Sequence, residues 1–340
     1  MTGTVLVTGG TGYIAGELIK QLLARGWSIH TTVRSKAKSE AALFERFGQP
    51  GDKLKVFEAE LLSDDGWAEA NAGCTHVAHV ASPVSERTPD DEDDMIIPAR
   101  EGTLRALRFA KSAGVTRFVQ TSSIAAIAYG REDMEYTVTE ADWTKVDHPD
   151  TSAYAKSKTI AERAARDWVA AEGGDLEFVS INPVLVLGPV DSGDFSPSVA
   201  PVQMLLSGKV PRTPDLGFGI VDTRDVAALH VLCLETPGLA GERFIAAGRF
   251  LKMIEVADAL RGGLTPLQAR KVPTKVMPGW MAKLFMLLNA EFRSVKTELG
   301  RVRYSDASHA EKVLGWKTRP AEESIADCGK SLFEHGVIDN

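Results

Sequence analysis

Cysteine is scarce: Cys74, Cys233 and Cys328 are the only three in 340 residues, and no two share a C-x-x-C spacing. That scarcity excludes a disulfide scaffold and a structural zinc site, so no metal is expected, and it fits buried thiols in a reducing, cytoplasmic compartment. Clusters of basic residues are missing as well. With 39 Lys and Arg against 46 Asp and Glu the net charge is −7, which leaves a nucleic-acid partner no electrostatic footprint. Long apolar runs are also absent. The most apolar late stretch, 277–292, is broken by Pro278, Gly279 and Lys283, and a membrane span needs about 20 apolar residues. The opening residues 1–7 show no basic-then-apolar signal pattern. What remains is ordinary globular composition, on a length that suits two cores or one large core with an elaborated end.

The first half alternates short β-branched runs with helix-like stretches. Strands are expected at Thr4–Thr8, Ser28–Arg34, Lys53–Phe57, His76–Val80, Arg117–Thr121 and Glu177–Ile181. Helices are expected at Gly12–Arg25, Lys38–Phe47, Met95–Ala113 and Ser152–Glu172. Runs apolar on both faces, separated by helices, predict an α/β chain with a doubly wound parallel sheet. After Asn182 prolines and glycines thicken, which reads as loops around one short helix near Ser198–Ser207. A helix at Asp222–Leu234 and a strand at Arg243–Ala246 then return to the sheet. From Leu251 onward the pattern is mainly helical. The expected division is a dinucleotide-binding domain of residues 1–182 and 221–247, with a smaller, mostly helical substrate domain of 183–220 and 248–340.

The first strand runs into Gly9-Gly10-Thr11-Gly12-Tyr13-Ile14-Ala15-Gly16 and then a helix. Glycines at such a junction allow a tight turn and let backbone N–H groups approach a pyrophosphate at the helix N-terminus. Thr8, Gly9, Thr11, Gly12, Tyr13 and Ile14 are therefore the expected cradle of a Rossmann-type nucleotide site. Ala15 stands where a third glycine is usual, and it is small enough for close helix–strand packing. The second strand ends Thr32-Val33-Arg34-Ser35-Lys36-Ala37-Lys38, with no acid before Glu40. NAD-binding folds usually place a carboxylate there for the ribose hydroxyls. Arg34 can instead clamp a 2′-phosphate, with Lys36 or Lys38 nearby, so the expected cofactor is NADP(H).

Tyr154 and Lys158 lie four apart, on one face of the expected helix Ser152–Glu172 and one turn from each other. The preceding strand ends in Thr121-Ser122-Ser123, and strand C-termini in a parallel sheet face the nucleotide crevice, so these hydroxyls are expected to open toward the cofactor. His76 and His79 stand three apart on a strand, which sends them to opposite faces and argues against a shared ion. Trp280, Met281, Leu284, Phe285 and Leu288 recur at helical spacing, which reads as core packing.

Together these features resemble the extended branch of the short-chain dehydrogenase/reductase superfamily, in its dihydroflavonol-reductase and aldehyde-reductase group. Further matches are His79-Val80-Ala81-Ser82-Pro83, Pro98-Ala99-x-x-Gly102-Thr103, Asn182-Pro183-x-x-Val186-Leu187-Gly188-Pro189, Asp222-Thr223-Arg224-Asp225-Val226-Ala227 and Lys312-x-Leu314-Gly315-Trp316. The resemblance runs from residue 4 to about residue 335. It implies hydride transfer between NADPH and an aldehyde or ketone carbonyl. In that scheme Tyr154 donates the proton, Lys158 stabilises the phenolate and bonds the nicotinamide ribose, and Ser123 holds the carbonyl oxygen, with Ser122 the neighbouring alternative. The resemblance also assigns cofactor contacts to Glu60 and Leu61 near the adenine, to Val80, Ala81, Ser82 and Thr121, and to Pro183 and Val184 beside the nicotinamide. Glu60 replaces the usual aspartate, and Thr223 a more usual valine.

The implied substrate pocket includes Pro83, Val84, Ser123, Ala125 and Tyr154. With stretches 195–206 and 217–221 it is mostly apolar, favouring a hydrophobic or aromatic small-molecule carbonyl substrate. No membrane or nucleic-acid partner is expected, and the chain is read as a monomer or homodimer. Other functions within the superfamily are a sugar-nucleotide epimerase or dehydratase and a hydroxysteroid dehydrogenase. Dehydratases carry an Asp-Glu pair where this chain has Ile124-Ala125, and permanently held NAD conflicts with Arg34. A non-catalytic NADP-sensing regulator has no need of the Tyr–Lys pair.

Overall fold

In a computed structural model, residues 3–83, 91–191, 196–281 and 298–339 are described. The first half alternates strand and helix: β1 (Thr4–Val7), α1 (Tyr13–Ala24), β2 (Ser28–Val33), α2 (Lys36–Arg46), β3 (Leu54–Glu58), α3 (Trp67–Asn71) and β4 (His76–His79). It continues with α4 (Asp93–Ser112), β5 (Arg117–Thr121), β6 (Glu135–Val138), α5 (Ala153–Glu172) and β7 (Glu177–Pro183). The later elements are β8 (Leu185–Leu187), α6 (Ala200–Ser207), β9 (Gly217–Asp222), α7 (Thr223–Glu235), β10 (Arg243–Ala246), β11 (Phe250–Lys252) and α8 (Met253–Gly263). Last come β12 (Val302–Ser305), α9 (Ser308–Leu314) and α10 (Ala321–Glu334).

Seven strands form one sheet in the order β10-β7-β5-β4-β1-β2-β3, and every neighbouring pair is parallel. Parallel neighbours need crossover helices, and these cover both faces. On one side α1 packs against α7; on the other α4 packs against α5. Both faces of the strands are buried: all of Val5, Leu6, Val7, Phe118 and Val119 are inaccessible to solvent. Helix α1 shows the complementary pattern, burying Ala15, Leu18, Ile19 and Leu22 along one stripe at helical spacing. Chain order reverses between β1 and β4, where β2 lies on one side of β1 and β4 on the other. Crevices outside the strand C-termini at such a point are where ligands bind in this architecture.

The region after β7 is richer in strands than the sequence suggests. Helices α6, α8 and α10 share a separate apolar cluster that includes Val202, Leu205, Val256, Leu260, Ile325 and Leu332. Beside them β11, β9 and β8 make a three-stranded sheet, two of whose strands, β8 and β9, lie where loops were expected between Asn182 and Asp222. Glycine hid β9: a Cβ on Gly217 would sit 2.4 Å from the Phe250 ring, and one on Gly219 would sit 3.0 Å from Val184. Those residues are glycine because the neighbouring strand and β7 end leave no room, not because the chain turns there. The five residues of α3 are too few to show periodicity. Pairing of β6 with β12 joins segments far apart in the chain. Of the apolar stripe read as core packing, Trp280 is exposed and does not pack in the core, while Leu284, Phe285 and Leu288 lie outside the described residues.

An ionic cluster fastens α10 to α7. Asp222, buried at the N-cap of α7, accepts from the Arg224 backbone N–H and from its guanidinium, each at 2.8 Å. Arg224 reaches Asp327 on α10 at 2.9 Å, and Arg319 pairs with Asp225. Burial alone would raise the Asp222 carboxyl, but these hydrogen bonds and the Arg224 charge hold it below the usual carboxylate range.

Two imidazoles are sealed against the main sheet. His79 is 2% exposed and His230 fully buried. The Val226 carbonyl can only accept, so His230 Nδ1 donates to it at 2.8 Å and Nε2 accepts from the Thr121 hydroxyl at 2.7 Å. Burial, with the Lys158 charge second, pushes His79 down to about 3; burial pushes His230 down to about 4. Both values lie below the unfolded reference near 6.5, so the unfolded chain takes up protons first. The stability is full above pH ~6.5 and is lost as pH falls through the window toward the folded values, at about 2 kcal/mol per histidine by pH ~5. The unfolding free energy in urea is expected to drop by about 4 kcal/mol between pH ~7.5 and ~5. Equal free energies at the two pH values would show that these imidazoles are not held neutral.

Candidate active site

The turn after β1 is built so that backbone, not side chain, faces the crevice. Gly9 takes φ +73, and a Cβ there would lie 3.2 Å from the Ala81 Cβ; on Gly10 it would lie 2.2 Å from Thr31 Oγ1. Gly12 caps α1 with no side-chain bond, so the first-turn N–H groups of Tyr13, Ile14 and Ala15 are left without intrahelical partners. Ala15, in the third glycine position, is completely buried and packs as the sequence predicts. The Thr8 hydroxyl accepts from the N–H groups of Val80 at 3.0 Å and Ala81 at 2.9 Å and lies 3.1 Å from His79 Nδ1. It therefore pins the end of β4 to the end of β1. Tyr13 turns its side chain away, donating to the Gly188 carbonyl at 2.8 Å. Thr11 is exposed.

Such a glycine surface with free helix N–H groups fits a pyrophosphate. Past β2, Arg34 and Lys38 are exposed and, among the described residues, have no ion-pair partner, whereas Lys36 pairs with Glu40 at 3.4 Å. Two unpaired cations beside the strand end fit a further phosphate group. Glu60 is exposed, and its backbone carbonyl accepts from the Trp67 indole at 2.9 Å. Leu61 lies against Gly102, whose added Cβ would come within 2.9 Å of it.

At the end of β5 the three hydroxyls part company. Thr121 does not open its hydroxyl toward the crevice as expected; that oxygen is bonded to His230 in α7. Ser122 Oγ donates to the buried Glu162 carboxylate at 2.5 Å. Ser123 Oγ accepts from the Ala125 N–H at 3.1 Å, starting the short helix Ile124–Ala126, and keeps its own proton for another acceptor. Ala125 itself is buried.

Helix α5 opens with Ser152 accepting from the Ala155 N–H, which sets Tyr154 in its first turn and Lys158 in the second. Tyr154 is 39% exposed and Lys158 only 8%. The Lys158 ammonium lies 5.8 Å from the Tyr154 ring centre and donates to Ser82 Oγ at 2.9 Å. A small cavity behind it is lined by Leu61, Ala81, Ser82, Pro83, Thr121 and Lys158, among others, so residues predicted from four separate segments meet at one place. Pro183 and Val184 are buried at the end of β7, with the Val184 N–H donating to the Ala246 carbonyl at 3.1 Å. Val84 lies outside the described residues.

Sequence reasoning missed what supports this edge. Glu162, Asn182, Ser180 and Arg243 form a buried polar group directly under Ser122 and Ser123. One signal was legible: Glu162 follows Tyr154 and Lys158 at the same four-residue step.

Residues 5–247 match the NAD dependent epimerase/dehydratase family. Cinnamoyl-CoA reductase 1 of Petunia hybrida is 34% identical over 338 residues, covering 98% of this chain and 93% of that protein. Dihydroflavonol 4-reductase of Zea mays is 32% identical over 344 residues, covering 99% and 90%. Among solved structures, yeast methylglyoxal/isovaleraldehyde reductase complexed with NADPH superposes with a TM-score of 0.83 at 26% identity, covering 98% of this chain and 100% of that one. On its strand order, its glycine turn and these similarities, the chain belongs to the NAD-dependent epimerase/dehydratase family, within the extended short-chain dehydrogenase/reductases.

Proposed function

We propose that this protein is an NADPH-dependent reductase of aldehydes or ketones. The observation that carries the reading is the meeting of Tyr154 and the Ser82-anchored Lys158 at the same sheet edge as the glycine turn. Residues 1–182 and 221–247 are read as the cofactor unit, and 183–220 with 248–340 as the part that shapes the carbonyl site. The N–H groups of 13–15 would hold the pyrophosphate, Arg34 and Lys38 the 2′-phosphate, and Pro183 and Val184 the nicotinamide face. When bound, NADPH supplies the hydride. Ser123 Oγ, with one lone pair engaged by the Ala125 N–H, donates its hydrogen to the substrate carbonyl oxygen. Tyr154 gives its phenolic proton to that same oxygen, and the Lys158 ammonium beneath the ring favours the phenolate left behind.

The names of the relatives support carbonyl reduction and fit an aromatic or otherwise hydrophobic substrate. The Ile124-Ala125-Ala126 segment offers no acid for elimination, which sets the site apart from a dehydratase.

NADPH oxidation against methylglyoxal, isovaleraldehyde, cinnamoyl-CoA and a dihydroflavonol tests the activity. Tyr154→Phe is expected to lower kcat by about a hundredfold or more on any compound turned over; parental activity in that variant would remove the proposed acid. Arg34→Ala is expected to raise the KM for NADPH by roughly ten- to a hundredfold, the loss of a charge-assisted bond, and to leave that for NADH nearly unchanged. An equal loss with both cofactors would refute the 2′-phosphate contact.

A further inference from the structure

Tyr154, Lys158 and Glu162 stand at successive four-residue steps along α5 and so share one face of the helix. Two of them face the crevice; the third is fully buried and reaches into the ends of β5 and β7. Glu162 Oε2 accepts from Ser122 Oγ at 2.5 Å and from Asn182 Nδ2 at 2.7 Å. The same Asn182 amide donates to the backbone carbonyl of Ser123 at 3.0 Å. Glu162 Oε1 accepts from Ser180 Oγ at 2.9 Å and from Arg243 Nε at 2.7 Å. Arg243, in β10, also donates to the carbonyls of Glu140 and Asp142 and stacks on Trp143 at 3.8 Å.

We infer that Glu162 is a positioning residue, which fixes the Ser123 hydroxyl relative to Tyr154 and Lys158 by tying the helix that carries the pair to the two strand ends that carry Ser123 and Asn182. The inference rests on the reading of Ser123, Tyr154 and Lys158 as the reacting set. Geometry is the argument. A helix packed on a sheet by apolar contacts alone can slide by a fraction of an ångström at little cost, whereas proton transfer needs heavy atoms within hydrogen-bond reach. A carboxylate with several directional partners removes that freedom, because sliding the helix breaks bonds that buried groups cannot remake with water. It also assigns the two adjacent serines different tasks. Ser122 turns inward to hold the strand end and leaves Ser123 as the hydroxyl available to substrate.

The test compares Ser122→Ala, Asn182→Ala, Glu162→Gln and Ser123→Ala. NADPH affinity, binding stoichiometry and Tm are measured for each, together with the single-turnover rate of hydride transfer to the fastest carbonyl compound of the panel above. Ser122→Ala, which loses one hydrogen bond, is expected to slow hydride transfer about tenfold per bound cofactor, and Asn182→Ala, which loses two, at least as much, each with NADPH affinity within about twofold of the parent; Glu162→Gln should slow it further. Glu162→Gln leaves Arg243 buried beside a neutral amide and is the variant most at risk of not folding, in which case the two alanine variants decide. Parental rates per bound cofactor in both, with Ser123→Ala impaired, would overturn the inference while leaving the reaction assignment standing, even if Tm falls. A parental rate in Ser123→Ala would overturn both.

Discussion

All seven strands of the main sheet run in one direction, and that single constraint brings the candidate site together. Parallel neighbours cannot be joined by tight turns, so each strand is followed by a crossover, and every strand releases its chain at the same edge. The glycine turn follows β1, Arg34 follows β2, Leu61 comes soon after β3, Ser82 follows β4 and Ser123 follows β5. Residues distant in the chain thus become neighbours without any local sequence preference for meeting. Lys158 touching Ser82 is the clearest case, since neither has a local reason to seek the other.

The same edge holds an unusual concentration of buried polar groups. Glu162 is sealed from solvent, yet the Arg243 charge and its hydrogen bonds, with that from Ser122, keep its carboxyl below the ordinary range against the opposing effect of burial. Buried ion pairs of this kind are poor sources of stability, because the cost of removing both ions from water roughly cancels their attraction. Their use is directional: an apolar replacement could fill the space but could not specify where the ends of β5 and β7 stop. The Asp222–Arg224–Arg319 cluster has the same character at the junction of α7 and α10. Tyr13 bridges there too, its ring packed against both large apolar clusters.

Much of this was legible in the amino-acid order, and the failures are informative. The strands of the main sheet announce themselves because both faces are apolar, and the longer helices because their buried residues recur at helical spacing. Strands β8 and β9 did not: β8 has only three residues, and β9, interrupted by Gly217 and Gly219, carries the composition of a loop. The resemblance put Ser123 on the carbonyl oxygen with Ser122 as the alternative, and nothing in the residue order could reveal that the Thr121 hydroxyl meets His230, a residue far along the chain. Glu162 was readable as the next step after Tyr154 and Lys158; its partners were not, because Asn182 and Arg243 approach it from other strands.

Local order determined the strands of the main sheet and the longer helices, where the glycine turn must fall, and that Tyr154 and Lys158 share a helical face. These follow from backbone sterics and side-chain periodicity within a dozen residues. Tertiary structure decided which serine turns inward, which cations past β2 stay unpaired among the described residues, and what holds Lys158. Those outcomes depend on distances between groups that only the closed sheet brings within hydrogen-bonding range, and no spacing in the chain encodes them.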